Sequence, residues 1–188
     1  MIVFLGREDS LVLAHLREVE PEVVALGPEE PFDPDKHDAR LVVSHGYRRI
    51  LREHQIADGR VINLHISLLP YNRGADPTLW SVLEGTPAGV TIHYIDPGVD
   101  TGDVIAQQEV AFDDEDTLKT AYDKLQDALL DLFRRTWPEI SAGTNPRHPQ
   151  TGEGTSHRVK DRERVEHLLT DGWDTKIKAL RGKCIARS

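Results

Sequence analysis

The sequence is short of thiols: among 188 residues it has one cysteine, Cys184, close to its end. One cysteine makes no internal disulfide and none of the thiolate sets that structural zinc motifs need, so neither staples this fold. A reducing, cytoplasmic compartment is expected. Long apolar runs are missing too. No stretch approaches the ~20 residues that cross a bilayer, and Met1-Ile2-Val3-Phe4-Leu5-Gly6 is too short and wrongly flanked for a signal peptide. Positive charge is scarce, with 23 Lys and Arg against 32 Asp and Glu and a formal charge of −9. That balance repels a polyanion unless a local basic patch offsets it, so neither a nucleic acid nor a membrane is expected as partner. Repeats and low-complexity tracts are absent as well.

What is present is a length suited to one compact domain with a short appendage. Residues 1–5 read as a first core strand, and Ser10 as the N-cap of a helix with an apolar stripe of Leu11, Leu13, Ala14 and Leu16. Strands follow at 23–26, 41–43 and 61–62, separated by a Pro- and Asp-rich loop at 27–38 and helical residues at 48–54. This strand and helix alternation predicts an α/β fold built on a doubly wound, mainly parallel Rossmann-like sheet. Asp76-Pro77 reads as an N-cap with proline at the first helical position, opening a helix that ends near Gly85. A β-branched strand at 90–95 comes next, and 104–105 with 110–112 suggest a late strand or a hairpin. A helical period then runs through Leu118, Tyr122, Leu125, Leu129, Leu132 and Phe133. Gly143 opens a break, so residues 1–142 are expected to form the catalytic domain and residues 143–188 a polar C-terminal extension. In that extension 162–169 and 173–180 read as short amphipathic pieces.

The chemistry concentrates in two segments, Asn63-Leu64-His65-Ile66-Ser67-Leu68-Leu69-Pro70 and Asp96-Pro97-Gly98-Val99-Asp100-Thr101-Gly102. Strand alternation sends Asn63 and His65 to one face, while the Pro/Gly turn carries Asp100 on a loop past the sheet's carboxyl edge, where open α/β sheets bind ligands. An amide, an imidazole and a carboxylate meeting there suit acyl transfer to an amine. The amide and imidazole donate to a tetrahedral oxyanion, and the carboxylate moves the proton between the two nitrogens. Other readings of the same residues are blander. Asn63 and His65 could cap a turn, Asp100 could cap Thr101-Gly102, and His93 inside its strand reads as a satisfied core histidine rather than a catalyst. Trp80, Trp137 and Trp173 read as packing residues. The acidic run at 113–116 lacks calcium-loop spacing and reads as a helix lead-in, and the histidines are too dispersed for zinc, so no metal is expected.

These residues resemble the formyltransferases that use 10-formyltetrahydrofolate, a family that includes glycinamide ribonucleotide, methionyl-tRNA and sugar-amine enzymes. The resemblance rests on Asn-x-His-x-Ser-x-Leu-Pro, then Arg73-Gly74, Gly89-Val90-Thr91-Ile92-His93 and Asp100-Thr101-Gly102, in that order, from about residue 42 to residue 140. It implies the formyltransferase fold, with Asn63, His65 and Asp100 as the catalytic trio and 10-formyltetrahydrofolate as formyl donor. It also implies a folate pocket at Gly46, Tyr47, Arg49, Ile50 and Leu51, closed by Asp96 and Val99. Ser67, Arg73 and Gly74 are implied on the acceptor side.

Within the family, the N-terminal loop Gly6-Arg7-Glu8-Asp9-Ser10 has one glycine and two acids, unlike the phosphate-holding loop of the glycinamide ribonucleotide enzymes. The methionyl-tRNA enzymes carry a second full domain where only a short polar stretch follows Gly143. A formyl-folate hydrolase would carry an N-terminal regulatory domain, whereas this sequence opens on its first strand. The sugar formyltransferases are most similar, through Asn72-Arg73-Gly74-Ala75-Asp76-Pro77 and Trp80. That implies a nucleotide-linked amino sugar as acceptor, with Arg73, His157 and Arg158 near its diphosphate or sugar, and by analogy a homodimer. Another small amine, formyl-folate hydrolysis and a non-catalytic folate- or nucleotide-binding protein are the rival readings.

Overall fold

The β-branched runs and amphipathic stretches take shape as β1 (Ile2–Gly6), α1 (Leu11–Val19), β2 (Val23–Leu26), β3 (Leu41–His45), α2 (Glu53–Ile56) and β4 (Val61–His65). They continue through β5 (Arg73–Gly74), α3 (Pro77–Glu84), β6 (Gly89–Tyr94), β7 (Val104–Glu109), α4 (Leu118–Ala142), β8 (Ser156–His157) and α5 (Ile177–Leu180). This computed structural model describes residues 1–56 and 58–183; Cys184 lies outside them.

Six strands form one sheet in the order β2-β1-β3-β4-β6-β7. β1 pairs in parallel with β2 and β3, and β3 in parallel with β4. β6 is the reversed strand, antiparallel to both neighbours: against β4, Ile95 N–H donates to the Val61 carbonyl and His93 stands opposite Asn63. Against β7, Tyr94 N–H donates to the Asp103 carbonyl at 2.9 Å and Val110 N–H to the Ala88 carbonyl at 3.0 Å, a descending register that marks an antiparallel pair. The sheet is therefore mixed but mostly parallel, in the α/β class. Winding out from β1 to β2 and back across to β3 puts a topological switch point between β1 and β3, at the edge where Gly6, His45 and His65 end their strands.

The chain divides into two units: residues 1–65, 92–106 and 130–149 form the first, and residues 66–91 and 107–129 with the described residues from 150 onward form the second. In the first, Ile2, Val3, Phe4 and Leu5 are wholly buried, as a central parallel strand covered on both faces requires. Val3 and Leu5 pack with Leu26, Phe32, Val42, Leu51 and Ile56. In the second, Leu79, Trp80, Val82 and Leu83 of α3 pack with Leu118 and Ala121 of α4 and with Val165, Ile177 and Leu180. The polar tail thus contributes three core residues to this unit.

Four local expectations are corrected. Residues 48–52 are not helical: the Gln55 side chain accepts from Arg52 N–H, a reach back from the third helical residue to the one before the helix, and this starts the helix at Glu53. Residues 110–112 are not strand. Ser10 occupies the N-cap position but its hydroxyl faces His45 Nδ1 at 3.1 Å instead of capping. Asp76 precedes Pro77 as expected, yet it has a left-handed backbone and makes no side-chain cap. The amphipathic pieces of the tail are mainly 3₁₀ turns, Val159–Arg164, Glu166–Leu168 and Gly172–Asp174, with α5 as the one α-helical turn among them. Gly143 ends α4 as the sequence predicts. At φ +68° its N–H donates to the Ile140 carbonyl, and the Thr144 N–H to the Glu139 carbonyl, the paired bonds of a Schellman cap.

Candidate active site

β4 sits between β3 and an antiparallel β6, so the loop after β6 does not leave past the carboxyl edge, contrary to the expectation from sequence. It starts beside Val61, the first residue of β4, and brings Asp100 to the site by folding back toward Asn63 and His65. Asn63 and His65 are alternate residues of β4. The loop from Ile95 back to β7 is tied down at both ends. Ile95 N–H donates to the Val61 carbonyl at 2.9 Å, and the Asp96 carboxylate accepts from Gly98 N–H at 3.0 Å and from the Thr101 hydroxyl at 2.6 Å. A side chain at Gly98 would overlap the Thr101 hydroxyl, so the turn closes this tightly only with glycine there. Its outcome is Asp100, held at φ +51° with its carboxylate turned back toward β4.

That carboxylate reaches three groups. Asp100 Oδ2 is 3.6 Å from His65 Nδ1, Oδ1 is 3.4 Å from His93 Nε2, and Oδ1 accepts from Asn63 Nδ2 at 3.2 Å. Asn63 Nδ2 is also 3.3 Å from His93 Nε2. The cluster is largely withdrawn from water, with side-chain exposures of 9% for His65, 14% for Asp100 and 1% for His93. Low solvent access strengthens each of these interactions.

His93 is the functional residue that sequence reasoning set aside. It is a buried histidine, as read, but its ring belongs to this cluster. Alternation within Thr91-Ile92-His93 does not reveal this; the ring joins the cluster because β6 lies beside β4.

Of the other expected site residues, Tyr47, Arg49, Ile50 and Leu51 line one cavity of about 250 Å³ together with Pro31, Phe32, Arg52, His54 and Gln55. Gly46, at φ +70°, turns the chain from β3 toward it. The Tyr47 hydroxyl donates to the Glu30 carbonyl at 2.6 Å, and Ile50 leaves 85% of its surface exposed, an unusual position for a large apolar side chain. Val99 is exposed as well, while Asp96 spends its carboxylate within its own loop. In the second unit Ser67 is buried and its hydroxyl donates to the Tyr71 carbonyl. Arg73 is half-buried, its guanidinium bonded to the Gln150 side chain at 2.7 and 3.1 Å. Gly74 pairs with His157 between β5 and β8. His157 is half-buried there, its ring stacked on Trp80 at 3.9 Å and 3.2 Å from the Glu84 carboxylate, whereas Arg158 is exposed at the start of a 3₁₀ turn. Among the described residues no group of His, Cys, Asp and Glu could hold a metal ion, and no helix is long and apolar enough to cross a membrane.

The formyl transferase family profile matches residues 29–136. The solved structure of the formyltransferase PseJ from Anoxybacillus kamchatkensis, in complex with UDP-4,6-dideoxy-4-formamido-L-AltNAc and tetrahydrofolate, superposes with a TM-score of 0.92 at 42% identity, over 98% of this chain and 99% of that one. A 4-N formyltransferase from Francisella tularensis shares the fold, with a TM-score of 0.77 at 21% identity over 96% of this chain and 86% of that one. Among curated relatives, the methionyl-tRNA formyltransferase of Halothermothrix orenii is 36% identical over 132 residues, 70% of this chain. The chain spans 42% of that relative's length.

Proposed function

This chain belongs to the formyl transferase family, and we propose that it is an enzyme moving a formyl group from 10-formyltetrahydrofolate to the primary amine of a nucleotide-linked amino sugar. The observation that carries the chemistry is the convergence of Asn63, His65 and Asp100 on one point at the carboxyl end of β4. The acceptor rests on the likeness to PseJ, which covers nearly all of both chains, whereas the methionyl-tRNA enzymes are matched over less than half their length.

In the reaction the neutral amine attacks the formyl carbon, forming a carbon–nitrogen bond and a tetrahedral oxyanion. Protonated His65 and the Asn63 amide stabilise that oxygen. Asp100 takes the proton from the attacking nitrogen and delivers it to the folate nitrogen as the old carbon–nitrogen bond breaks. For the donor, the cavity beside Tyr47 and Leu51 is smaller than the ~300–1,000 Å³ of a site that encloses a whole drug-sized ligand. It suits a bicyclic head group, with apolar Phe32 and Leu51 and the polar tips of Tyr47 and Gln55 around it, and the exposed Ile50 and Val99 as apolar surface for the donor to cover. Ser67, Arg73 and Gly74 belong to the acceptor side of this reading, residues 1–142 to its catalytic domain and 143–188 to its extension. A cytoplasmic homodimer completes it.

The test is to incubate the protein with 10-formyltetrahydrofolate and a set of nucleotide-linked amino sugars and follow tetrahydrofolate release. The expected result is amine-dependent release that Asn63→Ala lowers by roughly 100- to 1000-fold. Full-rate formate release with no amine present, or an Asn63→Ala enzyme equal to wild type, overturns it.

A further inference from the structure

We infer that His93 is a positioning residue of this site: neutral and locked in its Nδ1–H tautomer, it holds the Asn63 amide through the lone pair of Nε2. The inference rests on the formyl-transfer reading above and adds a fourth member to the trio. His93 Nδ1 lies 2.8 Å from the Tyr94 carbonyl oxygen. A carbonyl only accepts, so Nδ1 carries a proton whatever the charge of the ring. The state of the ring is therefore decided at Nε2, which faces Asn63 Nδ2 at 3.3 Å and Asp100 Oδ1 at 3.4 Å. These two neighbours make opposite demands. A lone pair on Nε2 accepts from Asn63; a proton there donates to Asp100 and confronts the amide nitrogen donor to donor.

Asn63 decides between them. Its amide nitrogen has two protons, and one goes to Asp100 Oδ1 at 3.2 Å. Turning the amide over would set its oxygen against an ionised carboxylate, so the nitrogen faces inward. The second proton then points at His93, and only the neutral ring can take it. Held at both protons, the amide is fixed before any ligand arrives, which is the preorganisation that transition-state stabilisation requires.

This arrangement also times the release of a donor. When Asp100 takes the proton from the attacking amine, it loses its charge and with it most of its hold on the Asn63 N–H. That N–H is set free for the oxyanion as the oxyanion forms, while His93 retains the other as a pivot. His93 itself touches no reacting atom.

The test uses two variants and one spectroscopic measurement on the full chain. His93→Phe keeps a ring of similar size but has no acceptor, and leaves a half-buried Asn63 donor without its partner on β6; kcat is expected to fall roughly 5- to 150-fold. The KM values for donor and acceptor should stay within about 3-fold, as for a group acting only in the transition state. His93→Gln presents an amide oxygen near the place of Nε2 and should recover most of the loss. In protein labelled with ¹⁵N-histidine, NMR should find His93 as the Nδ1–H tautomer, with an Nε2 resonance that moves in Asn63→Ala. This readout needs no turnover, so a chain with that signature and no formyl transfer sinks the proposed function and leaves the His93 assignment standing. A His93 signal of the other tautomer, or one unmoved by Asn63→Ala, overturns the assignment. So does wild-type kcat in His93→Phe, or a His93→Gln enzyme as damaged as His93→Phe.

Discussion

Replacing Asp100 by asparagine removes one negative charge and almost no volume, at a position whose backbone is left-handed with φ +51°. Asparagine tolerates that conformation, so the loop should keep its shape. The electrostatic loss can be worked from the geometry. The carboxylate lies 3.6 Å from His65 Nδ1, and both side chains are mostly buried. With an effective dielectric near ~20, a unit charge pair at that separation attracts by roughly 4–5 kcal/mol, and partial solvent access trims this to about 3–4 kcal/mol. If His65 must be positive in the transition state, that loss corresponds to roughly 100- to 1000-fold in kcat. The figure is a lower bound, since asparagine also cannot carry the proton between nitrogens. The assay is tetrahydrofolate release at saturating donor and acceptor, with thermal unfolding of the same preparation alongside. Asp100→Asn should unfold at the wild-type temperature. Asp100→Ala should be equally inactive and also unfold about 2–8 °C lower, because alanine in a left-handed conformation costs about 1–2 kcal/mol. An Asp100→Asn enzyme that keeps more than about a tenth of wild-type kcat would refute the reasoning, because so small a loss is less than half the pair energy.

Three more outcomes follow from other parts of the molecule. Gly98→Ala must displace the Thr101 hydroxyl from the Asp96 carboxylate, so the loop carrying Asp100 shifts and kcat should fall on the order of 100-fold; unchanged kcat would show that the loop's exact closure is irrelevant. His157→Ala removes a ring stacked on Trp80 and strands the half-buried Glu84 carboxylate, and should cost about 2–4 kcal/mol in urea unfolding; a loss under about 0.5 kcal/mol would deny the tail a part in the core of its unit. The hydrogen bond from Lys176, and then that from Lys178, hold the Glu115 carboxyl at about 2, below its ordinary 4.5. Its contribution is therefore fully present above pH ~4.5 and lost as pH falls toward ~2, so Glu115→Gln should flatten the melting temperature's acid decline within that window; an unaltered decline would place the acid sensitivity elsewhere.

Much of the fold was legible because parallel strands covered on both faces announce themselves as unbroken apolar runs. Residues 2–5 and 41–43 are of that kind, and both are buried strands. The failures lie where side chains compete with the backbone pattern. Residues 48–52 have helical composition, but the Gln55 side chain accepts the Arg52 N–H that a helix through 48–54 would give to the Arg48 carbonyl, and the Arg48 N–H is held by the distant Pro28 carbonyl. The tail reads only as short amphipathic pieces, with no element type assigned. Its periodicity is amphipathic, yet Val165, Ile177 and Leu180 reach the core from 3₁₀ turns and a single α-helical turn, a spacing that periodicity alone cannot anticipate.

The site divides along the same line. Asn63 and His65 could be placed together because alternation within one strand is a local rule. The turn carrying Asp100 was legible too, but not its route, since β6 runs antiparallel to β4 and the loop starts beside Val61 before Asp100 returns to the site. His93 needed a fact that no local rule supplies, namely that β6 lies directly beside β4 although β5 and α3 intervene in the chain. Read within its own strand, His93 is a buried imidazole that needs a partner, and the Tyr94 carbonyl at 2.8 Å is enough to satisfy it. Only strand adjacency brings its second nitrogen to the Asn63 amide, turning a satisfied core histidine into a neighbour of the proposed chemistry. The same adjacency explains why a trio on the page becomes four groups in space: a carboxylate, an amide and two rings share a few hydrogen-bonding positions, and the protonation of any one of them constrains the others.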